Sequence, residues 1–480
     1  MLFNSWTFVL FAAVVFPVYY SLDRRWQNRF LLAASYFFYG NWDWRFTGLL
    51  AISTIVDYVA ALGMQRSRDA HARNAWLGLS LATNLGILGF FKYFNFFVDS
   101  AVELLAALGF EAHAPTLRVL LPVGISFYTF QTLAYTIDVW RGRMEPTRDF
   151  TSFALYVAFF PQLVAGPIER AQRLLPQLQR RREVTAWHFS TGTQLLLWGY
   201  FKKVAIADSL VPYQFDAFTG AQPPGDPAVL WMAMWASALQ AYGDFSGYSD
   251  MARGLGRLLG IEIIENFRQP FFSTNFTEFW RRWHVSLSSW LRDYVYIPLG
   301  GNRGGELRQA RNLFLTMLIG GLWHGAAWTF VVWGGACGLI LVLHKWMRRG
   351  QKIAHDERPS GPGEWISFAV RCVGTFHMFA ITLVVLRAPS IGYAWEYLTS
   401  MFTPAAGSGG GDLFAGLGPT LAFYALLTFL VDLGCWARRS ETPCPPTMAW
   451  WARGLCYAGA LFVLAVVREG NAEEFFYFQF

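Results

Sequence analysis

Apolar segments about as long as a bilayer is thick recur along almost the entire chain. A membrane-spanning helix needs about 20 mostly apolar residues to cross the hydrocarbon core. Of the 480 residues, 54% are hydrophobic and only 15% are charged, whereas about a quarter of an ordinary soluble domain is charged. The pattern predicts an all-α, polytopic integral membrane protein with about ten to twelve transmembrane helices. The candidate segments are Met1–Tyr20, Phe30–Tyr39, Leu49–Met64, Trp76–Val98, Leu117–Trp140, Thr193–Val211, Ala228–Tyr242, Leu313–Leu322, Thr329–Leu343, Trp365–Leu386, Leu421–Trp436 and Leu455–Val467.

Short arginine-rich loops separate these segments and predict one orientation in the membrane. All of the loops can lie on the cytoplasmic face if the amino terminus lies outside. Because the basic residues are dispersed and form no single patch, nucleic-acid binding is not expected. The five cysteines contain no CxxC pair, so neither a disulfide framework nor a metal site is predicted.

Two irregular segments interrupt the apolar pattern. Prolines break the sequence near Phe150–Ile168, and irregular backbone at membrane depth has to be buried in protein or line a wet cavity. We therefore predict a re-entrant segment there. The glycine-rich tract Gly407–Gly411 predicts a flexible outer loop. With no internal repeat and no second soluble domain, residues 1–480 are predicted to form a single membrane domain.

The segment from Gly243 to Ala326 differs from the rest because it gathers charged residues and histidines beside apolar spans. Ionisable groups in or near a membrane are costly and often mark a site. From Phe276 to Leu291, aromatic and aliphatic residues recur at the spacing of one helical face, with Glu278 on the other face. Asn275 followed by Glu278 predicts the helix start, and the whole segment predicts an interfacial amphipathic helix.

Two histidines in this segment are candidate site residues. His284 lies at the edge of the predicted apolar face, where it either hydrogen-bonds a headgroup or loop carbonyl or points into the protein. His324 lies in apolar sequence with no carboxylate within ten residues, and burial favours its neutral imidazole, which can accept a proton. Nearby Gly320, Gly321 and Gly325 either admit a substrate or only permit close helix packing.

Two further motifs have ordinary and functional interpretations. The run from Asp244 to Asp250 predicts a helix start, or it orients a histidine or binds a polar substrate. The glycines of Gly300–Gly305 resemble a phosphate-binding turn, but without the Walker pattern a simple loop is favoured.

Four of these motifs, in the same order, closely resemble the membrane-bound O-acyltransferase (MBOAT) family. Within that family they resemble the bacterial branch that contains the membrane subunits for alginate O-acetylation and for teichoic-acid D-alanylation. The motifs are Asp244-Phe-Ser-Gly-Tyr-Ser-Asp-Met251, Glu278-Phe-Trp-Arg-Arg-Trp-His284, Trp290-Leu-Arg-Asp-Tyr294 with Pro298-Leu-Gly-Gly-Asn-Arg303, and Gly320-Gly-Leu-Trp-His-Gly325. Shorter matches at Leu121–Tyr128, Gly166–Ile168 and Phe475–Phe480 extend the resemblance over the whole chain.

The resemblance implies a ring of membrane helices around a thinned centre with a central tunnel. It implies that His324 is the catalytic histidine and that His284 is the second family histidine. It also implies a partner, an outward-facing SGNH-type hydrolase-like protein that passes the acyl group to a polysaccharide. We take Asp250, Asn266, Trp290, Arg292 and Asp293 as supporting residues, each with a structural salt bridge as the alternative.

The resulting hypothesis is an O-acyltransferase of the bacterial inner membrane that carries an acetyl group to a surface polysaccharide such as alginate. His324 acts as general base on an acceptor hydroxyl, and His284 binds the donor, steadies the carbonyl oxygen or shapes the cytoplasmic mouth. The donor is expected to be acetyl-CoA, with no bound cofactor. Its phosphates are expected to meet Arg281, Arg282, Arg292 and Arg303.

Three alternatives stay open at this stage. One is D-alanyl or other acyl transfer to a different envelope polymer. A second is a transporter or channel in which buried histidines relay protons, although no inverted repeat is seen. The third is a scaffold that recruits the outer hydrolase, in which His324 would be replaceable.

Overall fold

The computed structural model describes residues 1–111, 117–211, 217–218, 220, 223, 225–348, 358–403, 410–445 and 447–467. All regular structure in this part of the chain is helical. The predicted loop at Gly407–Gly411 lies mostly outside these residues, and the terminal motif Phe475–Phe480 lies wholly outside them.

The first nine helices are α1 (Trp6–Ser21), α2 (Arg24–Asp43), α3 (Thr47–Arg66), α4 (Ala70–Leu88), α5 (Phe94–Ala107), α6 (Ile125–Trp140), α7 (Phe150–Ala158), α8 (Phe160–Leu163) and α9 (Ala171–Gln179). The others are α10 (Ala186–Phe201), α11 (Pro227–Leu258), α12 (Phe276–Arg282), α13 (Val285–Leu291), α14 (Glu306–His324), α15 (Trp328–Met347), α16 (Pro362–Arg387), α17 (Ile391–Ser400), α18 (Gly410–Arg438) and α19 (Trp450–Val467).

Five helical stretches of the described residues are long and apolar enough to cross a membrane. Two of them are pairs of helices, because α2 continues into α3 and α4 into α5. The stretches are Arg24–Arg66, Ala70–Ala107, Trp328–Met347, Pro362–Arg387 and Gly418–Arg438. These findings confirm an all-α membrane protein, while the count of ten to twelve crossings stays a prediction.

The described chain forms two compact units. One contains Met1–Thr193 and Ala252–Ile264, and the other contains Gln194–Met251 and Glu265–Phe480. The prediction of one domain over residues 1–480 stays a prediction.

In the first unit, α3, α4 and α6 pack around a buried polar cluster. The carboxylate of Asp57 accepts hydrogen bonds from the Ser80 hydroxyl at 2.6 Å and from the Asn84 amide at 2.9 Å. Buried carboxylates are tolerated when they are hydrogen-bonded in this way. The cluster holds three apolar helices in one arrangement.

The irregular segments differ in how well the sequence predicted them. The break near Phe150–Ile168 is confirmed, because α7 ends at Ala158 and the non-helical residue Phe159 separates it from α8. A re-entrant path stays a prediction. The predicted span Leu117–Trp140 is too long at its start, because Gly124 has φ 78° and the helix begins at Ile125. Pro122 precedes that turn, and proline disfavours the helical conformation in the residue before it.

In the second unit, α14 and α15 form a tight hairpin, and α16 packs against α15. The short helices α12 and α13 follow one another in the chain and contact each other. α12 also contacts both α15 and α16. This unit contains both candidate histidines.

Candidate active site

The chain before His284 begins a helix as predicted but ends it early. Asn275 Oδ1 accepts the backbone N–H of Glu278 at 2.9 Å, which satisfies a free donor at the helix start. α12 then ends at Arg282, and His284 has φ 46° and ψ 54°, in the left-handed region. The prediction of one amphipathic helix from Phe276 to Leu291 is therefore wrong. The regular apolar spacing belongs to two short helices joined by a turn.

The polar face predicted for that helix is also corrected. Glu278 and Arg282 are buried and form an ion pair with 2.7 Å between Oε1 and Nη2. The second oxygen of Glu278 accepts hydrogen bonds from the backbone N–H and the hydroxyl of Thr274, both at 3.0 Å. The carboxylate thus ties the loop before α12 to the helix, which the helical spacing alone does not indicate.

The turn places the His284 ring in the interior of the second unit. The residue is 1% exposed, and its ring lies 4.6 Å from the Phe245 ring and 6.0 Å from the Trp323 ring. Burial, and then the nearby His324, lower the pKa of His284 well below its usual value. At neutral pH His284 is therefore uncharged.

Asn266 is the polar partner of His284. Its Oδ1 lies 3.2 Å from His284 Nδ1, and it also accepts the backbone N–H and the hydroxyl of Ser286 at 3.1 and 3.0 Å. The backbones on either side are paired, since Val285 N donates to Asn266 O and Arg268 N donates to Arg282 O. Asn266 was predicted as a supporting residue, and the structure places it directly against His284.

His324, the last residue of α14, completes the histidine cluster. Its ring centroid is 6.3 Å from that of His284, and its exposure is 7%. The Trp323 and Trp333 rings contact it edge-on at 5.0 and 5.1 Å. The structure thus brings together two histidines that are 40 residues apart in sequence. Two imidazoles in an aromatic enclosure can accept and release a proton away from bulk water.

The glycines near His324 allow close packing of α14 on α15. A Cβ at Gly321 would lie 2.3 Å from the Phe330 carbonyl oxygen and 2.9 Å from the Gly334 Cα. A Cβ at Gly325 would lie 2.4 Å from the Phe330 ring. Of the two interpretations of these residues, the structure supports helix packing at Gly321 and Gly325.

Replacing Gly321 by alanine is expected to destabilise the protein strongly, because backbone atoms of α15 have to move away. Overpacking of this kind costs about 1–3 kcal/mol or more. The control is Gly335→Ala, because a Cβ at Gly335 would meet only side chains, at 3.6 Å and beyond. Thermal unfolding of the purified proteins in detergent measures both. Equal melting temperatures for the two variants would contradict the packing role.

The other predicted site residues lie elsewhere in the second unit. Asp250 forms an ion pair with Lys202 at 2.5 Å. Trp290 on α13 packs against Tyr294, with ring centroids 5.0 Å apart. Arg292 and Asp293 follow α13 and form a mostly exposed ion pair at 2.8 Å, so for them a salt bridge is observed. The helix start predicted at Asp244 is wrong, because that residue lies inside α11.

The sequence analysis did not predict a cluster of buried ion pairs. Its members are Lys202, Lys203, Asp208, Asp244 and Asp250. Lys203 Nζ lies 2.7 Å from Asp208 and 2.9 Å from Asp244, whose side chain is 0% exposed. The signal was available in the sequence, because Lys202 and Lys203 interrupt the predicted span Thr193–Val211. Lysines at that depth need acidic partners, and Asp208 and the run from Asp244 to Asp250 contain them.

A pocket of about 510 Å³ is lined by five arginines and three glutamates, one of which is Glu278. Arg358 is held in place because its guanidinium stacks over the Trp436 ring at 5.4 Å and donates to the Trp436 carbonyl at 3.1 Å. The five arginines are Arg268, Arg281, Arg282, Arg358 and Arg439. Arg281 and Arg282 were predicted to meet phosphates, whereas Arg268, Arg358 and Arg439 were missed because they come from distant parts of the sequence.

The fold and the histidine cluster together define a helical membrane protein with a buried imidazole site. The family model described as membrane-bound O-acyltransferase matches residues 145–386, which include both histidines and Asn266. The chain belongs to this family and is an O-acyltransferase.

Similar proteins cover most of the chain. A probable alginate O-acetylase AlgI of Azotobacter vinelandii is 43% identical over 406 residues, which are 84% of this chain and 78% of the relative. A probable alginate O-acetylase AlgI of Pseudomonas aeruginosa is 42% identical over 409 residues, 84% of this chain and 75% of the relative. A peptidoglycan O-acetyltransferase of Helicobacter pylori is 34% identical over 433 residues, 84% of this chain and 80% of the relative.

Proposed function

We propose that this protein moves an acetyl group from acetyl-CoA in the cytoplasm across the bacterial inner membrane for O-acetylation of a cell-surface polysaccharide such as alginate. The observation that carries the proposal is the buried pair His284 and His324 in a chain whose relatives are named polysaccharide O-acetylases. An acetyl group has to cross a low-dielectric barrier without its charged carrier. A buried base inside a helical membrane protein supplies a place for that transfer.

In the proposed reaction, His324 is the general base. An imidazole nitrogen takes the proton of an acceptor hydroxyl, and the hydroxyl oxygen forms a bond with the thioester carbonyl carbon. The carbon–sulfur bond then breaks, and the thiolate takes the proton back from the imidazolium. The proton balance closes within the site, so no external acid or base is needed.

The proposal includes the arrangement in the membrane. The membrane helices form a ring around a central tunnel with His324 part-way along it, and the arginine-rich loops lie in the cytoplasm. Membrane lipids surround the ring. An outward-facing SGNH-type protein receives the acetyl group and passes it to the polymer.

The arginine-lined pocket is the proposed site for the phosphates of the donor. Its five arginines outnumber its three glutamates, and guanidinium groups bind phosphates through paired, charge-assisted hydrogen bonds. Three of the pocket arginines are also close in sequence to His284 or Asn266, whose neighbouring backbones are hydrogen-bonded to each other. Arg281 and Arg282 end α12 two or three residues before His284, and Arg268 follows Asn266 on the paired backbone.

Replacing Arg281 and Arg358 singly by glutamine is expected to raise KM for acetyl-CoA by about tenfold or more, because a hydrogen bond to a charged group contributes about 1.5–3 kcal/mol. kcat is expected to change little, since the phosphates are remote from the reacting carbonyl. Arg118→Gln is the control, because Arg118 pairs with Asp99 and does not line this pocket. A donor without phosphates, S-acetyl-N-acetylcysteamine, should react equally with all variants. A rise in KM with that donor would contradict the assignment.

The experiment that tests the proposed function uses purified protein in liposomes with acetyl-labelled acetyl-CoA. Label is expected on alginate when the SGNH-type partner is present. Peptidoglycan or teichoic acid in place of alginate, and D-alanyl thioester in place of acetyl-CoA, test the other acyl transfers. A transporter or a scaffold would leave every polymer unlabelled, and that result would overturn the proposal.

A further inference from the structure

The hydrogen bonds around Asn266 determine which of its side-chain atoms is oxygen. The backbone N–H of Ser286 can only donate, and it lies 3.1 Å from this atom. The acceptor must therefore be the amide oxygen, Oδ1. The Ser286 hydroxyl, 3.0 Å away, donates to the same oxygen, and the Asn266 amide nitrogen points to the Ser249 hydroxyl at 3.4 Å.

This assignment determines the proton position on His284. An amide oxygen carries no hydrogen, so His284 Nδ1, 3.2 Å from it, must be the donor. A neutral imidazole has one N–H. His284 therefore carries its proton on Nδ1 and a lone pair on Nε2.

The surroundings favour the neutral ring. In the contacts that the structure describes, the titratable group facing His284 is His324, and the adjoining rings of Phe245, Phe267 and Trp323 carry no charge. A proton on His324 would repel a second proton on His284, because the ring centroids are only 6.3 Å apart. The two imidazoles therefore hold one extra proton between them at most under ordinary conditions.

We propose that Asn266 is a positioning residue that holds His284 in the Nδ1–H tautomer, so that the Nε2 lone pair is available beside His324. The inference rests on the proposed function in one respect: the lone pair stabilises the imidazolium that forms when His324 takes the acceptor proton. Asn266 is suited to this task because its own backbone pairs with Val285. The backbone hydrogen bond between Val285 and Asn266 therefore fixes the position of the amide oxygen relative to the His284 ring.

Direct observation of the tautomer is the first test. Nitrogen-15 and carbon-13 labelling of the eight histidines, followed by solid-state NMR of the wild-type protein in lipid, distinguishes Nδ1–H from Nε2–H rings. The signal that disappears in His284→Gln identifies His284. A Nδ1–H ring is expected for His284, and a Nε2–H ring would overturn the inference. The spectrum requires no activity, so it decides the tautomer even if labelled acetyl transfer fails.

The pH profile of Asn266 variants is the second test. Asn266→Asp keeps an oxygen acceptor for Nδ1 but adds a negative charge, which stabilises the His284 imidazolium and raises the pKa of His284. Because the neutral ring is required, the acid limb of kcat against pH is expected to move up by about one pH unit or more, with activity recovering at high pH. Asn266→Ala is expected to lose about ten- to a hundredfold in kcat at every pH, because the ring is no longer held.

Ser289→Ala is the matched control, since its hydroxyl bonds only the Ser286 carbonyl in the contacts described, at 2.9 Å. It is expected to keep the wild-type pH profile. Asn266→Asp with an unshifted acid limb, or inactive at every pH while still folded, would overturn the positioning role. Wild-type protein without acetyl transfer would instead overturn the proposed function.

Discussion

Replacing His324 by alanine is expected to lower acetyl transfer by at least about a hundredfold, and by up to about ten-thousandfold, because a positioned general base contributes that much to the rate. The loss should appear in kcat, since the imidazole acts on the proton that moves in the transition state. Labelled acetyl transfer from acetyl-CoA by the purified protein in liposomes measures it. The amount of inserted, folded protein should be unchanged, because His324 lies at the end of α14, where the helix already stops.

His344→Ala provides a matched control for the loss of an imidazole. His344 lies on α15, where its Nδ1 is 3.0 Å from the Thr277 hydroxyl, and no step is assigned to it. It is expected to transfer acetyl at close to the wild-type rate. Full activity in His324→Ala would exclude His324 as the general base.

The sequence predicted the elements of the fold well because apolar length is a local property. The segments Thr329–Leu343 and Trp365–Leu386 correspond to α15 and α16 with shifts of a few residues at their ends. The helix start at Asn275 was also local, since one side chain and one backbone N–H three residues on decide it. Interruptions were harder to predict, because the left-handed turn at His284 depends on tertiary contacts with Asn266.

The candidate site was predicted in part. His284, His324 and Asn266 were named from the sequence, and the structure brings them together. The pairing itself could not be derived, since 40 residues separate the two histidines. Lys203 and Asp244 were missed as partners for the same reason. Single-sequence patterns describe neighbours along a helix, and these contacts join different helices.

The buried ion pairs of Lys203 are the other feature whose removal is expected to have a large effect, in this case on the stability of the protein. Lys203 is buried between two carboxylates on different helices, and the Asp244 side chain has no exposed surface. Removing one member of such a cluster leaves the rest with charge that solvent does not reach. The cost of breaking a buried pair in this way is about 3–5 kcal/mol, although a buried pair itself adds little net stability over an apolar equivalent.

Lys203→Met is therefore expected to lower the melting temperature of the purified protein by at least about 5 °C. Arg292→Met is the control, because the Arg292 side chain is 62% exposed in its pair with Asp293 and an exposed pair contributes about 1 kcal/mol or less. Lys203→Met combined with Asp244→Asn is expected to recover part of the loss, since the second change removes a carboxylate that has lost its lysine. Equal melting temperatures for Lys203→Met and Arg292→Met would show that the cluster is hydrated and that removing Lys203 costs little stability. A double variant less stable than Lys203→Met would show that Asp244 is stabilised chiefly by other partners.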